Sequence, residues 1–231
     1  MLNVVMQITP IAHIRTDFPE KFGIPRQSGL AGALSGKIVF EKEFRNPDAL
    51  RGLEGFSHLW LIWEFSATRK GGWQPTVRPP RLGGNRHMGV FATRSPFRPN
   101  PLGLSCVEIE AVVNDEAEGP VIYVRGADLM DGTPIYDIKP YIRYADSRPE
   151  SVCGYVDELR ENRLDVVMPE EMKTVIDNER TLEALLEVLA LDPRPSYHDD
   201  PLREYGISFG GYNVRFHVNG NILEVVSLSL Q

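Results

Sequence analysis

The chain is expected to be mainly β: a single β-barrel as an N-terminal domain, followed by a small α+β C-terminal domain. Three observations carry that expectation. Short apolar segments with two-residue alternation recur through the first 150 residues. Gly- and Pro-rich turns separate them, and helical apolar spacing is almost absent until beyond residue 150. The expected domains are therefore 1–150, the barrel, and 151–231, the smaller unit.

Residues 4–13 alternate and read as a first strand. The run FGIPRQSG at 22–29 is a loop, because proline fixes one backbone angle and glycine punctuates on either side. Residues 37–44 supply a second strand. Asn46 and Pro47 open a short helical turn, asparagine capping and proline at the first helical position. FSHLWLIWEF at 56–65 is apolar over a strand's length and is expected to be central and buried on both faces, with His58 a hydrogen-bonded core histidine. Residues 88–93 follow as another strand. Val107, Ile109, Ala111 and Val113 share one parity against Glu108 and Glu110, which predicts a half-buried strand with Cys106 as a small buried residue. Residues 121–125 and 135–139 add two more, the second after a turn at Asp131 and Gly132.

Beyond residue 150 the pattern changes. Pro169, Glu170 and Glu171 start a helix in which Met172, Val175, Ile176, Leu182, Leu185, Leu186 and Leu189 recur at three- and four-residue steps. It must stop by Asp192-Pro193-Arg194-Pro195, where prolines break the ladder. Residues 205–218 and 222–228 read as a closing hairpin around Asn219-Gly220. No internal repeat or low-complexity tract is visible.

With 231 residues, 42% apolar and 25% charged, the chain can bury a substantial core and has ordinary globular composition. Its two cysteines, Cys106 and Cys153, form no CxxC, and the first residues lack the layout of a signal peptide. A cytoplasmic location with free thiols is expected. The longest apolar run, at 59–63, is far short of the roughly 18 residues that span a bilayer. No membrane role is expected.

Charge is not spread evenly. Residues 65–107 hold seven basic side chains (Arg69, Lys70, Arg78, Arg81, Arg86, Arg94, Arg98) and no acid, in a chain whose formal net charge is −7. A local positive field in an acidic protein is a footprint of a phosphate-bearing partner, and Trp73, Phe91 and Phe97 offer ring faces for bases. Arginine dominates over lysine, and its fork suits phosphate, carboxylate and base edges. Six prolines and six glycines lie in the same window, so a solvated, loop-rich surface is the alternative reading.

Several catalytic signatures are absent: no GxGxxG after a strand, no GxxxxGK[ST], no HExxH, no GxSxG. The five histidines are scattered without ligand spacing, so no metal is expected. What remains is a series of Gly/Pro loops, each weak alone and specific in this order. The run VRPPRLGGNRHMGVFATRSPFRPNPLGLS, with PRQ upstream, DLMDGTPIYDIKPY downstream and DPRPSY near the end, closely resembles the TrmO/TsaA (YaeB) family. Members are S-adenosylmethionine-dependent tRNA methyltransferases, and the resemblance covers nearly the whole chain.

That resemblance implies a β-barrel with a small C-terminal domain and a homodimer that completes the site. It implies methylation of N6 of threonylcarbamoyladenosine, next to the anticodon of threonine tRNA. By motif match the cofactor site comprises Pro25, Arg26, Gln27, Ser66, Ala67, Arg94, Leu104, Asp131, Gly132, Thr133 and Pro134. Ser66 and Ala67 stand where the family carries bulkier polar residues, so contacts there are assigned to backbone. Arg26 or Arg94 suits the carboxylate of the donor's amino-acid tail. The N6 nitrogen is a ureido nitrogen and a poor nucleophile, so its proton must be accepted in the transition state. Asp128, Asp131 and Tyr197 are equal candidates for that base, with the substrate's own threonyl carboxylate as another. Arg98 or Arg194 would clamp that carboxylate. Arg69, Lys70, Arg78, Arg81 and Arg86 are assigned to phosphates of the anticodon stem-loop, and Arg194 and Tyr197 to the substrate tRNA. Two other classes stay open: a non-catalytic RNA-binding module using the same arginine-rich loop, and an enzyme acting on another phosphate-bearing ligand.

Overall fold

The computed structural model describes residues 6–82, 86–159, 163–195 and 200–231. Within them the first part of the chain folds as strands β1 (Ala12–Thr16), β2 (Ser35–Phe40), β3 (His58–Glu64), β4 (Thr76–Val77), β5 (Met88–Gly89), β6 (Leu102–Asp115), β7 (Gly119–Arg125) and β8 (Thr133–Pro140). Six of them close into a barrel in the order β1-β2-β7-β6-β3-β8, and β8 returns to β1. Every neighbouring pair is antiparallel. Closure leaves no unpaired edge, and the alternating residues Ile14, Ile38, Leu59, Leu61, Val107, Ile122, Val124 and Ile135 fill the interior. β4 and β5 pair outside the barrel as a small ribbon in the arginine-rich stretch.

The sequence pattern located most of these strands, but six details differ. The first strand begins at Ala12, since residues 6–11 are irregular. The second ends at Phe40, and Lys42–Phe44 turns as a 3-10 helix. Residues 88–93 give only the short β5, followed by the 3-10 turn Val90–Ala92. β3 is central, between β6 and β8, yet its outward residues Trp60 and Ile62 are only half-buried. His58 is exposed at its start, with Nδ1 2.9 Å from Ser57 Oγ, and is not a core histidine. Cys106 is half-buried rather than buried, and burial pushes its thiol pKa up. The expected turn at Asn46 does form: its side chain accepts from the Asp48 N–H, and Pro47 opens a 3-10 helix.

β6 does not keep one parity. A bulge lies between Ile109 and Ala111 in its register with β7. Beyond it Val112 packs against the barrel core and Val113 is 41% exposed. The bulge also re-aims Glu110, as bulges commonly do. Both its carboxylate oxygens accept from Arg180, at 2.6 and 2.9 Å.

Helix α1 (Arg143–Asp146) follows β8, and the second part holds strand β9 (Asp165–Val167), helices α2 (Glu170–Lys173) and α3 (Glu179–Ala190), and strands β10 (Tyr205–Phe209), β11 (Tyr212–Asn219) and β12 (Ile222–Leu230). Its sheet runs β10-β11-β12-β9, with β9 parallel to β12. The long helix anticipated from Pro169 is two helices. Asn178 accepts from the N–H groups of Arg180 and Thr181 and so caps a new helix, α3. The 205–218 segment likewise divides at Gly210 and Gly211, both at positive φ, and the hairpin at Asn219-Gly220 forms.

One segment crosses between the two parts. Phe18, Ala31, Ala33 and Leu34, from the connection between β1 and β2, are buried in the same core as Leu185, Leu189, Phe209, Phe216 and Leu223. The Gly210 N–H donates to Asp17 O at 2.9 Å, the Ala33 N–H to Glu187 Oε2 at 2.9 Å, and Arg163 Nη2 to Leu30 O at 2.9 Å.

Replacing Asn178 with alanine should remove the α3 cap and lower stability by about 1 kcal/mol. Urea unfolding should show an earlier midpoint at an unchanged slope. An unmoved midpoint would mean the cap contributes nothing.

Candidate functional site

β1 and β3 end, and β6 and β8 begin, at one mouth of the barrel, so the loops beyond them converge there. They enclose a cleft of about 430 Å³. One wall is the 24–27 loop; a second runs from Trp63 to Thr68 at the end of β3. A third comprises Thr93–Arg98 and the start of β6, and the floor carries Asp128, Met130 and Thr133. The volume lies within the usual range for small-molecule sites, roughly 300–1,000 Å³.

Most of the expected cofactor residues meet here. Pro25, Arg26, Gln27, Ser66, Ala67, Arg94, Leu104 and Thr133 all line the cleft. Arg94 donates to Gln27 Oε1, and Gln27 donates in turn to Arg26 O, which joins two walls that are distant in sequence. Asp131, Gly132 and Pro134 do not face the cleft. Asp131 Oδ1 accepts from the Thr16 N–H at 3.0 Å, and the Gly132 N–H donates to Ile14 O at 2.9 Å. Gly132 has φ 73°, a left-handed turn that glycine adopts without strain. This turn ties β8 to the end of β1, and of its four residues only Thr133, itself buried, lines the cleft.

Asp128 is on the floor. Ser105 Oγ donates to its Oδ1 at 2.6 Å, and Trp63 Nε1 donates to Ser105 Oγ at 2.9 Å. Trp63 can lie against β6 because residue 103 is glycine: a Cβ there would stand 2.3 Å from the indole. Burial pushes the Asp128 carboxyl pKa up, and outweighs the lowering by Ser105, by backbone N–H groups and by the Arg94 charge.

The basic residues separate into groups. Arg98 lines the cleft, but its Nη1 donates to Thr93 O at 2.7 Å and Val90 O at 3.2 Å, and its guanidinium lies 5.6 Å from the centre of the Phe91 ring. It holds its own loop together. Arg78 donates to His87 Nε2 at 3.0 Å and Arg86 pairs with Glu158 at 3.2 Å, both away from the cleft. Arg69 and Lys70 fall in the 3-10 turn Ser66–Gly71, and Arg81 in Pro80–Leu82. Arg194 forks Asp192 at 2.8 and 2.9 Å and does not line the cleft. Tyr197 lies outside the described residues.

The sequence reading missed Glu64. It lines the cleft at only 6% exposure and accepts from the Tyr136 hydroxyl. Its signal was a lone carboxylate closing the apolar run HLWLIWE. Among the described residues no group of three or more His, Cys, Asp or Glu is arranged to hold a metal.

Known proteins share this architecture. A family model described as the tRNA-methyltransferase O N-terminal domain matches residues 13–147, and one described as the TrmO C-terminal domain matches residues 161–231. A tRNA (adenine(37)-N6)-methyltransferase of Escherichia coli K12 is 42% identical over 96% of this chain and 97% of its own. A Pseudomonas aeruginosa relative, RcsF, named for S-adenosylmethionine-dependent methyl transfer, is 38% identical over 91% of each chain. The crystal structure of TrmO from Pseudomonas aeruginosa superposes with a TM-score of 0.77 at 32% identity, over 98% of this chain and 100% of that one.

The raised Asp128 pKa fixes the sign of a pH effect. The folded chain holds this proton more tightly than the unfolded one. The resulting stability is fully present below the ordinary aspartate value, about 3.9, and is lost as pH rises through the higher folded value. Relative to the unaltered protein, the Asp128→Asn variant should therefore be more stable at neutral pH than near pH 3. Urea unfolding of both proteins at the two pH values checks this. A difference that stays constant with pH would refute the raised value.

Proposed function

The chain belongs to the tRNA-methyltransferase O family, and from that premise we infer that it methylates N6 of the threonylcarbamoyladenosine next to the anticodon of threonine tRNA, with S-adenosylmethionine as donor. The observation that carries this reading is the convergence of 25–27, Ser66, Ala67, Arg94 and Leu104, scattered in sequence, around one small-molecule cleft with Asp128 on its floor.

The residues fit such a donor. Ile24, Phe65 and Leu102 give apolar wall for an adenine ring, Arg26 and Arg94 suit a carboxylate, and Glu64 brings carboxylate oxygens near a cationic ligand. S-adenosylmethionine, when bound, supplies a methyl group on an electrophilic sulfonium. Orientation and proton removal are then the protein's tasks. We assign the proton-accepting role to Asp128: it faces the cleft, and burial raises its basicity. Asp131 already accepts from the Thr16 N–H and does not line the cleft. Arg98, which lines the cleft, is the proposed clamp for the threonyl carboxylate, while Arg78 and Arg86, exposed outside it, are proposed to meet tRNA phosphates.

The proposed domains are residues 1–150, the barrel that carries donor binding and transfer, and 151–231, the small α+β unit; the two family matches favour that boundary. A homodimer is proposed because Leu104, on the cleft, is 53% exposed and open to a second chain. A cytoplasmic location is proposed from the tRNA substrate and the free Cys106 and Cys153.

Transfer of a labelled methyl group to tRNA, with nucleoside analysis of the product, tests the function. Label should appear on N6 of threonylcarbamoyladenosine and not on a tRNA carrying plain adenosine. Donor binding without any transfer, or RNA binding without donor binding, would defeat it. Asp128→Asn should lower kcat by about 10²–10⁴ while donor affinity holds; an unchanged kcat would remove Asp128 from the reaction. Arg78→Ala and Arg86→Ala should each shallow the salt dependence of tRNA binding by about one charge without moving donor affinity.

A further inference from the structure

The 25–27 loop is suspended between the two parts of the molecule. On its downstream side the barrel holds it: Ser28 Oγ accepts from the Cys106 N–H at 3.2 Å, and the Gly29 N–H donates to Gly126 O at 2.9 Å. On its upstream side the anchor belongs to the C-terminal sheet. Gly23 lies directly over Ile207 of β10, so close that an added Cβ would stand 2.0 Å from Ile207 Cδ1. Gly23 also has φ 93°, which makes any side chain there costly twice over. Ile24 packs against the same C-terminal core and lines the cleft on its other side. Ile207 itself is 2% exposed.

We infer that Ile207 is a positioning residue for the methyl donor: it supports Gly23 and Ile24 from beneath and so sets where Pro25, Arg26 and Gln27 stand in the cleft. This rests on the donor reading given above. It assigns the C-terminal domain a part in donor binding that acts through packing, with no side chain of its own in the cleft among the described residues. Shortening Ile207 leaves a void under the loop, and the backbone either follows it down or gains freedom. Both outcomes misplace the 25–27 wall relative to Arg94.

The test separates this role from ordinary core packing. Leu223 of β12 is buried in the same core, two strands from Ile207. Dissociation constants for S-adenosylmethionine and for tRNA, urea unfolding, and hydrogen exchange at residues 22–27 are measured for the unaltered protein, Ile207→Val, Ile207→Ala and Leu223→Ala. The two alanine variants should lose comparable stability. Of the two alanine variants only Ile207→Ala should weaken donor binding, by about tenfold, and speed exchange at 22–27, with tRNA affinity kept and Ile207→Val shifted the same way to a smaller extent. Equal loss of donor affinity in both alanine variants, or no loss in Ile207→Ala, overturns the proposal. Should Ile207→Ala fail to fold, Ile207→Val decides alone: faster exchange at 22–27 with weaker donor binding supports the role, and no change in either refutes it. An unaltered protein that binds no S-adenosylmethionine would sink the donor reading together with this one.

Discussion

Phe18 stands edge-on to Phe209, ring centroids 5.1 Å apart, and both are fully buried. The first ring comes from the connection after β1, the second from the end of β10, so their contact joins the two ends of the chain. Edge-to-face pairs contribute about 0.5–1.5 kcal/mol beyond the area they bury. The larger effect is apolar burial, since Ala31, Ala33 and Leu34 enter the same core. The Glu110–Arg180 fork crosses the same junction, but its side chains are 34% and 37% exposed. Water screens such a pair, which keeps its contribution to about 1 kcal/mol or less. Apolar packing therefore decides that the parts dock, while the fork, with Arg180 Nε also donating to Ala33 O at 3.4 Å, decides in what register.

The cleft inherits its geometry from that docking and its electrostatics from the barrel. Asp128 shows how opposing effects resolve there. Ser105, backbone amides and Arg94 all favour the charged carboxylate, and burial alone opposes them and prevails. A carboxylate whose charged form is disfavoured by desolvation is a better proton acceptor than one at the surface, because its affinity for a proton is higher. Asp17, outside the cleft, carries the same upward shift, again chiefly from burial, with Arg180 pulling the other way. A raised carboxylate pKa is thus not by itself a mark of function in this molecule. The cleft position of Asp128, and the Trp63–Ser105 chain aimed at it, are what distinguish it.

The barrel was legible because strand alternation is a local signal, and the part of β6 before its bulge follows it closely. Where a structure depends on a single residue's side chain, the local pattern failed. Asn178 divides one apparent helix into two by capping the second, and apolar spacing continues across the break as if it were absent. The β6 bulge moves Val112 inward against the parity that Val107 and Ile109 establish. Glu64 looked like the end of a core strand because burial and chemistry share the same position there. Asp131 and Gly132 were recognisable as a turn but not as one facing β1. The insertion of residues 17–34 into the C-terminal core carries no sequence-local signature at all, since Phe18 and Leu34 have no periodic neighbours to betray their partner.

The charge asymmetry of residues 65–107 is real, but counting its cations overstates how many face one partner. Arg98 uses hydrogen bonds to Val90 O and Thr93 O, and Phe91, to shape the loop it sits on. Arg94 closes a wall of the cleft through Gln27. Arg86 meets Glu158, an acid from outside the stretch. The absence of carboxylates within the window therefore has a second physical consequence besides attraction of phosphate. An acid inside it would compete with backbone carbonyls and Gln27 for these guanidinium groups, and the loops would lose their fixed shape. A neutral acceptor leaves the guanidinium its full charge, so the same arginine can order the loop and still present a positive field to an incoming anion.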